Sequence, residues 1–275
     1  MVNKISTAEE VKQHPAFREA LVSLLYQLAD DNFILSFRGS EWLGLAPQLE
    51  SDVAFSSIWQ DHMGHAALFY RMLEELGEGR ADDLAHLRTP HEMRNAILTE
   101  RSNGPGDYIV NPQYDWAYAV VRQFIFDLFE SVRMTSLQQS SYLPLAQAAA
   151  KVAREKPYHV LHGESWLGQM IKTEEGQVRL KKALTNVWHD LGDLFSLGEM
   201  GEKMVEYGLT ESEDFLRQRF VDRLRKVFDT YNINWPGELP KQMELNGRLG
   251  EHTDELAQAL DILSEVYRQD PAANW

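Results

Sequence analysis

Apolar residues recur three and four apart over long stretches of this chain, and no convincing run alternates with a period of two. The pattern predicts helices. A first long helix covers roughly residues 15–38, with Leu21, Leu24, Leu28 and Leu35 on its inner stripe and Asp31 or Asn32 interrupting it. A second covers roughly 49–77, stops at Gly77 and turns Ile58, His62, His65, Phe69, Met72 and Leu76 to one face. A third, roughly 115–139, runs through Trp116, Val120, Phe124, Asp127, Ser131 and Met134. A fourth, roughly 143–172, carries Val152, Glu155, His159, His162, Trp166 and Met170 on one side. Pro157 lies inside that fourth segment, where loss of a backbone donor is expected to kink it. Further helices are expected near 174–197, 211–230 and 253–269. Residues 78–113 are less regular, with one short helix near 90–100 and a turn at Asn103-Gly104-Pro105-Gly106, and residues 232–250 read as an extended loop.

Four long amphipathic helices predict an all-α fold, a four-helix bundle with additional C-terminal helices. No repeat, low-complexity tract or linker divides the chain, so residues 1–275 are expected to form a single helical domain. Each of the four stripes is broken by polar groups: Asp31 and Asn32, His62 and His65, Asp127, then Glu155, Lys156 and His159. Burying such groups costs several kcal/mol, on the order of 2–7 each, unless they pair with one another or with a ligand. At one level they would form a polar layer, the layout of a carboxylate-bridged di-iron bundle.

The residue inventory narrows this. A working di-iron site needs two Glu-x-x-His pairs, yet none of the nine histidines has a glutamate three positions before it. His65 is preceded there by His62, and His159 by Lys156, a cation that repels metal. With no cysteine, disulfides, thiolate metal sites and cysteine nucleophiles are excluded. A formal net charge of −15 argues against nucleic acid and anionic membrane as partners. No apolar run approaches the ~20 residues of a membrane span, and the N-terminus lacks an apolar signal core, so a cytoplasmic location is expected.

Several short motifs carry a resemblance over nearly the whole chain. They are Gly39-Ser40-Glu41-Trp42 with Ala46-Pro47 and Leu49-Glu50, then Asp61 and Gly64, then Asn103-Gly104, Arg154-Glu155 with Tyr158-His159, and Gly250-Glu251-His252-Thr253 running to Trp275. On these the chain resembles the C subunit of bacterial phenylacetyl-CoA epoxidases, the ring 1,2-monooxygenases of phenylacetate degradation. The resemblance implies a ferritin-like fold and a non-catalytic relative of the A subunit, which holds the di-iron centre. It further implies a hetero-oligomer with that A subunit, served by a separate reductase carrying flavin and an iron–sulfur centre, with no cofactor in this chain. Set beside the catalytic relative, the helix 1 glutamate falls at Asn32. The helix 2 Glu-x-x-His falls at His62 and His65, the helix 3 carboxylate at Asp127, and the helix 4 Glu-x-x-His at Lys156 and His159. These six are the expected positions of a vestigial metal site.

Alternatives remain at each. His62 and His65 are either core histidines hydrogen-bonded to Asp31, Asp127 or water, or, with Asp127 and His159, ligands of a single metal ion in an enzyme or storage protein. Lys156 is either solvent-facing or an ammonium that replaces lost metal charge by pairing with Asp127. Glu41-Trp42 is either a helix-start feature or a partner contact. No phosphate loop or basic cluster suits coenzyme A, so thioester recognition is expected mainly in the partner. A homodimer is expected where that partner is missing.

Overall fold

A computed structural model describes residues 4–106, 108–241 and 244–273. Its helices are, in order, α1 (Ala8–Lys12), α2 (Pro15–Ser40), α3 (Leu49–Glu75), α4 (Ala81–His86), α5 (Ile97–Glu100) and α6 (Trp116–Leu137). They continue with α7 (Leu143–Val152), α8 (Lys156–Met170), α9 (Glu174–His189), α10 (Gly201–Glu206), α11 (Glu213–Tyr231) and α12 (Asp254–Gln269). Two single 3₁₀ turns, Pro90–Glu92 and Gly247–Leu249, complete the regular structure among the described residues. The protein is all-α, as the periodicity predicts, and is consistent with a ferritin-like helical bundle.

Local chemistry sets the boundaries. Pro15 opens α2, where its missing N–H leaves no intrahelical bond unmade. The Asp115 carboxylate accepts from the Ala117 N–H at 3.0 Å and caps α6; Thr173 and Ser212 do the same for α9 and α11. Asn232, at φ 52°, ends α11 in the left-handed region that a short polar side chain tolerates.

The fourth long helix expected from sequence is two helices. The chain breaks at Ala153–Glu155, and Pro157 lies in the first turn of α8 instead of kinking an unbroken helix. A proline is harmless there, because first-turn N–H groups have no intrahelical acceptor. The break also resets the phase. The buried face of α8 passes through Lys156, His159, Gly163, Leu167 and Met170, while Glu155, His162 and Trp166 are partly exposed. The expected helix at 174–197 ends at His189, and α1, α4 and α10 have no counterpart in the sequence reading, being too short to show a period.

Packing divides the chain into two units. One comprises Ala8–Ser102, Leu197–Met200 and Glu244–Trp275 and is built on the α2/α3 pair. Leu21, Leu24, Leu28, Leu35, Phe55, Phe69 and Leu73 form its interior. The other comprises Met1–Thr7, Asn103–Ser196 and Gly201–Met243 and is built on α6, which packs on α8 and α9. α6 is buried nearly all round, through Val120, Phe124, Phe126 and Phe129 among others. Each pair meets closely at a glycine. A Cβ on Gly39 of α2 would lie 2.0 Å from the Trp59 ring of α3, and one on Gly163 of α8 would lie 2.6 Å from Phe124 Cβ of α6. No helix of the described residues is long and apolar enough to cross a membrane.

Candidate functional site: two buried polar layers

In the α2/α3 unit, Asn32 stands one turn beyond Leu28, and its amide nitrogen donates to the Leu28 carbonyl at 2.8 Å. That bond fixes which end of the amide is which. The Asn32 oxygen then faces His62 Nδ1 at 2.6 Å, so Nδ1 is the protonated, donating nitrogen. Both side chains are fully buried. The His62 ring lies against Trp59 and meets His65 edge-on at a centroid distance of 5.8 Å. Both histidines are buried, and His62 Nδ1 donates to Asn32.

Asp31 has a different task. It accepts both Arg248 terminal nitrogens, at 2.8 and 2.9 Å, and the Ala96 N–H at 2.8 Å. Asp30, beside it, accepts from Tyr70 at 2.6 Å, the Arg94 N–H at 2.7 Å and the Arg88 guanidinium. Burial, and then the Asp30 carboxylate, push the Tyr70 phenol well above its ordinary range. Glu100 closes the set. Its oxygens accept from Asn95 at 2.9 Å, His252 at 2.7 Å and both the N–H and hydroxyl of Thr253 at 2.7 and 2.8 Å. Asp30, Asp31 and Glu100 are thus engaged with the segments 88–102 and 246–255.

In the α6 unit the layer is charged. Lys156 is the first residue of α8, and its side chain is 1% exposed. Its ammonium donates to Asp127 Oδ1 at 2.9 Å and lies 3.9 Å from Glu130 Oε2, both on α6. His159, one turn on, donates Nδ1–H to the same Asp127 oxygen at 3.1 Å. Gln123 donates to Asp127 Oδ2 at 2.5 Å and to the His159 carbonyl at 3.0 Å. Both oxygens of Asp127 therefore accept from protein donors. Glu130 accepts from Arg133 as well, through Nε at 2.7 Å and a still closer terminal nitrogen. A lysine at a helix N-terminus opposes the helix dipole; the two carboxylates of α6 offset that here.

The donor set does not fit a di-iron centre. Such a centre needs bridging carboxylates with lone pairs to give. In the α6 unit Asp127, where the resemblance expects a carboxylate ligand, is held by an ammonium, an imidazole and an amide, and Lys156 stands where it expects a glutamate. In the α2/α3 unit Asn32, where the resemblance expects a glutamate, is an amide bound to a histidine.

The chain also has recognisable relatives. The profile of the family described as "Phenylacetic acid catabolic protein" matches residues 3–275. The chain belongs to the phenylacetic acid catabolic protein family. Within that family it is similar to the C subunit of the 1,2-phenylacetyl-CoA epoxidase of Escherichia coli (strain K12), at 28% identity over 93% of this chain and 99% of the relative. It is also similar to the A subunit of that enzyme, at 24% identity over 75% of this chain and 65% of the relative.

Several motifs behind the sequence resemblance prove to be structural anchors. Arg122 donates to Asn103 at 2.5 Å, Glu41 pairs with Arg38 at 3.3 Å, and Trp42 is buried within the chain. Gly250, at φ +80°, turns the backbone into the segment that delivers His252 and Thr253 to Glu100. Sequence reasoning missed Asp30, Glu100, Glu130, Arg88 and Arg248. Only Glu130 carried a signal: three residues after Asp127, it shares that helical face.

Proposed function

We propose that this chain is a non-catalytic, structural subunit of a phenylacetyl-CoA epoxidase of the family, a cytoplasmic protein that holds and stabilises a di-iron A-type subunit in a hetero-oligomer. In that complex the reaction is insertion of oxygen into the aromatic ring of phenylacetyl-CoA to give the 1,2-epoxide, with electrons from a separate flavin and iron–sulfur reductase. This chain carries no cofactor of its own. Asn32, His62, His65, Asp127, Lys156 and His159 are a vestigial metal site, re-used as core. The observation that carries the reading is Lys156. Its ammonium lies in the interior on Asp127, where a ligand glutamate would be needed. A fixed positive charge in that place repels a metal cation and satisfies the aspartate without one. The whole chain acts as one ferritin-like domain, which predicts a single cooperative unfolding transition by circular dichroism.

The test is metal content of the chain purified without chelator after growth in iron, together with co-purification and turnover. The expected result is well under one equivalent of metal per chain, tight co-purification with an A-type subunit, and epoxidation only when that subunit is present. About one tightly held equivalent, lost in His65→Ala, would overturn the proposal in favour of a metal centre using His62, His65, Asp127 and His159. Lys156→Glu sharpens the same test, since it restores Glu-x-x-His on α8 and removes the repelling charge. It is expected to raise metal uptake above that of the unaltered chain.

A further inference from the structure

Within the α6 unit a cavity of about 530 Å³ opens beside the buried lysine, bounded mainly by residues of α6 and α8 and by Arg223 of α11. The size lies within the range of small-molecule sites, roughly 300–1,000 Å³. Its wall is apolar along one side, with Leu128, Val160, Leu161 and Pro157. Leu161 is 61% exposed, an aliphatic surface left to solvent.

Of two arginines one turn apart on α11, only Arg223 lines the cavity. Arg219, one turn before Arg223, is paired with Glu211 at 3.1 Å. Arg223 makes no ion pair among the described residues; its guanidinium donates to Ser131 Oγ at 2.8 Å, and that hydroxyl is itself bonded to the Leu128 carbonyl at 2.7 Å. An arginine has five N–H donors, so most of the fork remains available to a ligand. Partial burial, and then the neighbouring Arg219, lower the Arg223 pKa, which marks a cation lacking a compensating anion. The acid on the wall, Glu164, is pushed up by burial and makes no hydrogen bond or ion pair among the described residues. Lys156 contributes its stem to the floor while its ammonium is held on Asp127.

We infer that this cavity is a binding site for a small amphipathic carboxylic acid, its single carboxylate held by the Arg223 fork and its apolar body laid along Leu128, Val160 and Leu161. A carboxylate matches the planar guanidinium in a two-point bond, and the aliphatic wall supplies burial for the rest. The site is independent of the metal-site reading above, because none of its contacts involves the Asp127 layer beyond the Lys156 stem.

Three probes with one body and different heads test this on the full chain: hexanoate, 1-hexanol and hexylammonium, titrated by calorimetry with saturation-transfer NMR. Hexanoate is expected to bind at one site at least tenfold more tightly than the other two and to weaken as salt is raised. Arg223→Gln should remove that preference while circular dichroism is unchanged. Val160→Trp, which fills the cavity and keeps the arginine, should abolish hexanoate binding. Failure of hexanoate to bind at 20 mM (a concentration on the order of one hundred times the protein), equal binding of 1-hexanol, or unaltered binding in Arg223→Gln would each overturn the assignment. So would displacement of hexanoate by inorganic phosphate at equal concentration, since that marks a general anion site with no use for the apolar wall.

Discussion

The α2/α3 pair and the α6/α8 pair solve the same problem by different chemistry. Both bury polar side chains on helices whose other inward residues are apolar. The α2/α3 pair holds its histidine with a neutral amide, Asn32 to His62 at 2.6 Å. The α6/α8 pair holds its histidine with an ionised network, Asp127 shared by Lys156 and His159 and flanked by Glu130 and Arg133. A neutral buried hydrogen bond contributes about 0.5–1.5 kcal/mol net. A buried ion pair contributes little overall, yet breaking it from one side is expensive, because the partner charge stays behind. The two pairs therefore differ less in how stable they are than in how they respond to damage.

The largest expected effect follows directly. Lys156→Met leaves the Asp127 carboxylate buried without its ammonium partner, while Glu130 keeps Arg133, and should lower the unfolding free energy by about 3–5 kcal/mol, read by urea denaturation. An unchanged midpoint would mean that the ammonium contributes nothing and the charged layer is no layer at all. Asn32→Leu removes the neutral acceptor of His62 and the bond to the Leu28 carbonyl, and should cost about 1–3 kcal/mol in the same assay. If it costs as much as Lys156→Met, the contrast between the pairs fails.

The close glycines come next and probe packing separately from charge. Gly39→Ala and Gly163→Ala each force a neighbouring ring to move and should cost about 1–3 kcal/mol, outweighing the helix-propensity gain of alanine. The loss should be greater at Gly39, where the added carbon would meet the Trp59 ring at 2.0 Å, than at Gly163, where it meets Phe124 at 2.6 Å. Thermal midpoints of the two variants rank them.

The smallest effect concerns pH. Burial lowers the His162 pKa below its ordinary 6.5, with Asp127 acting in the opposite direction. The unfolded chain then binds more protons than the folded one between the lowered value and 6.5, so stability rises with pH through that window and levels off above it. His162→Gln should flatten that rise. An unaltered slope would assign it to His86, whose pKa burial also lowers.

Much of this was legible in the chain. The stripes of α2, α3 and α6 follow residues that, Ser131 apart, are buried in the structure, and Asn32, His62, His65, Asp127 and His159 all lie in the interior. A period of 3.6 residues is a local property, and so is a polar interruption of it. The division between α7 and α8 was not legible, because a proline inside a periodic segment reads the same whether it kinks one helix or begins another. The phase error that followed placed Glu155 on the inner face, where Lys156 lies. The partners of Asp30 and Asp31 were out of reach for a different reason. Arg88 is 58 residues from Asp30 and Arg248 is 217 from Asp31, and no local pattern links such positions. That Lys156 would meet Asp127 was foreseeable only as one of two choices, since a long side chain at a helix end reaches equally well outward or inward.

The attachment of Arg248, His252 and Thr253 to Asp31 and Glu100 bears on how the chain is made. As a ribosome delivers it from the N-terminus, α2 to α5 emerge early with two anions whose counterparts are encoded 152 to 217 residues later. Everything belonging to the α6 unit from Asn103 onward is synthesised in between. Long-range closure of this kind is slow, since the loop entropy is lost before the contacts form. The first-made helices must therefore wait, incomplete, until those later residues have been made, and it is then that a nascent chain of this protein has most need of a chaperone.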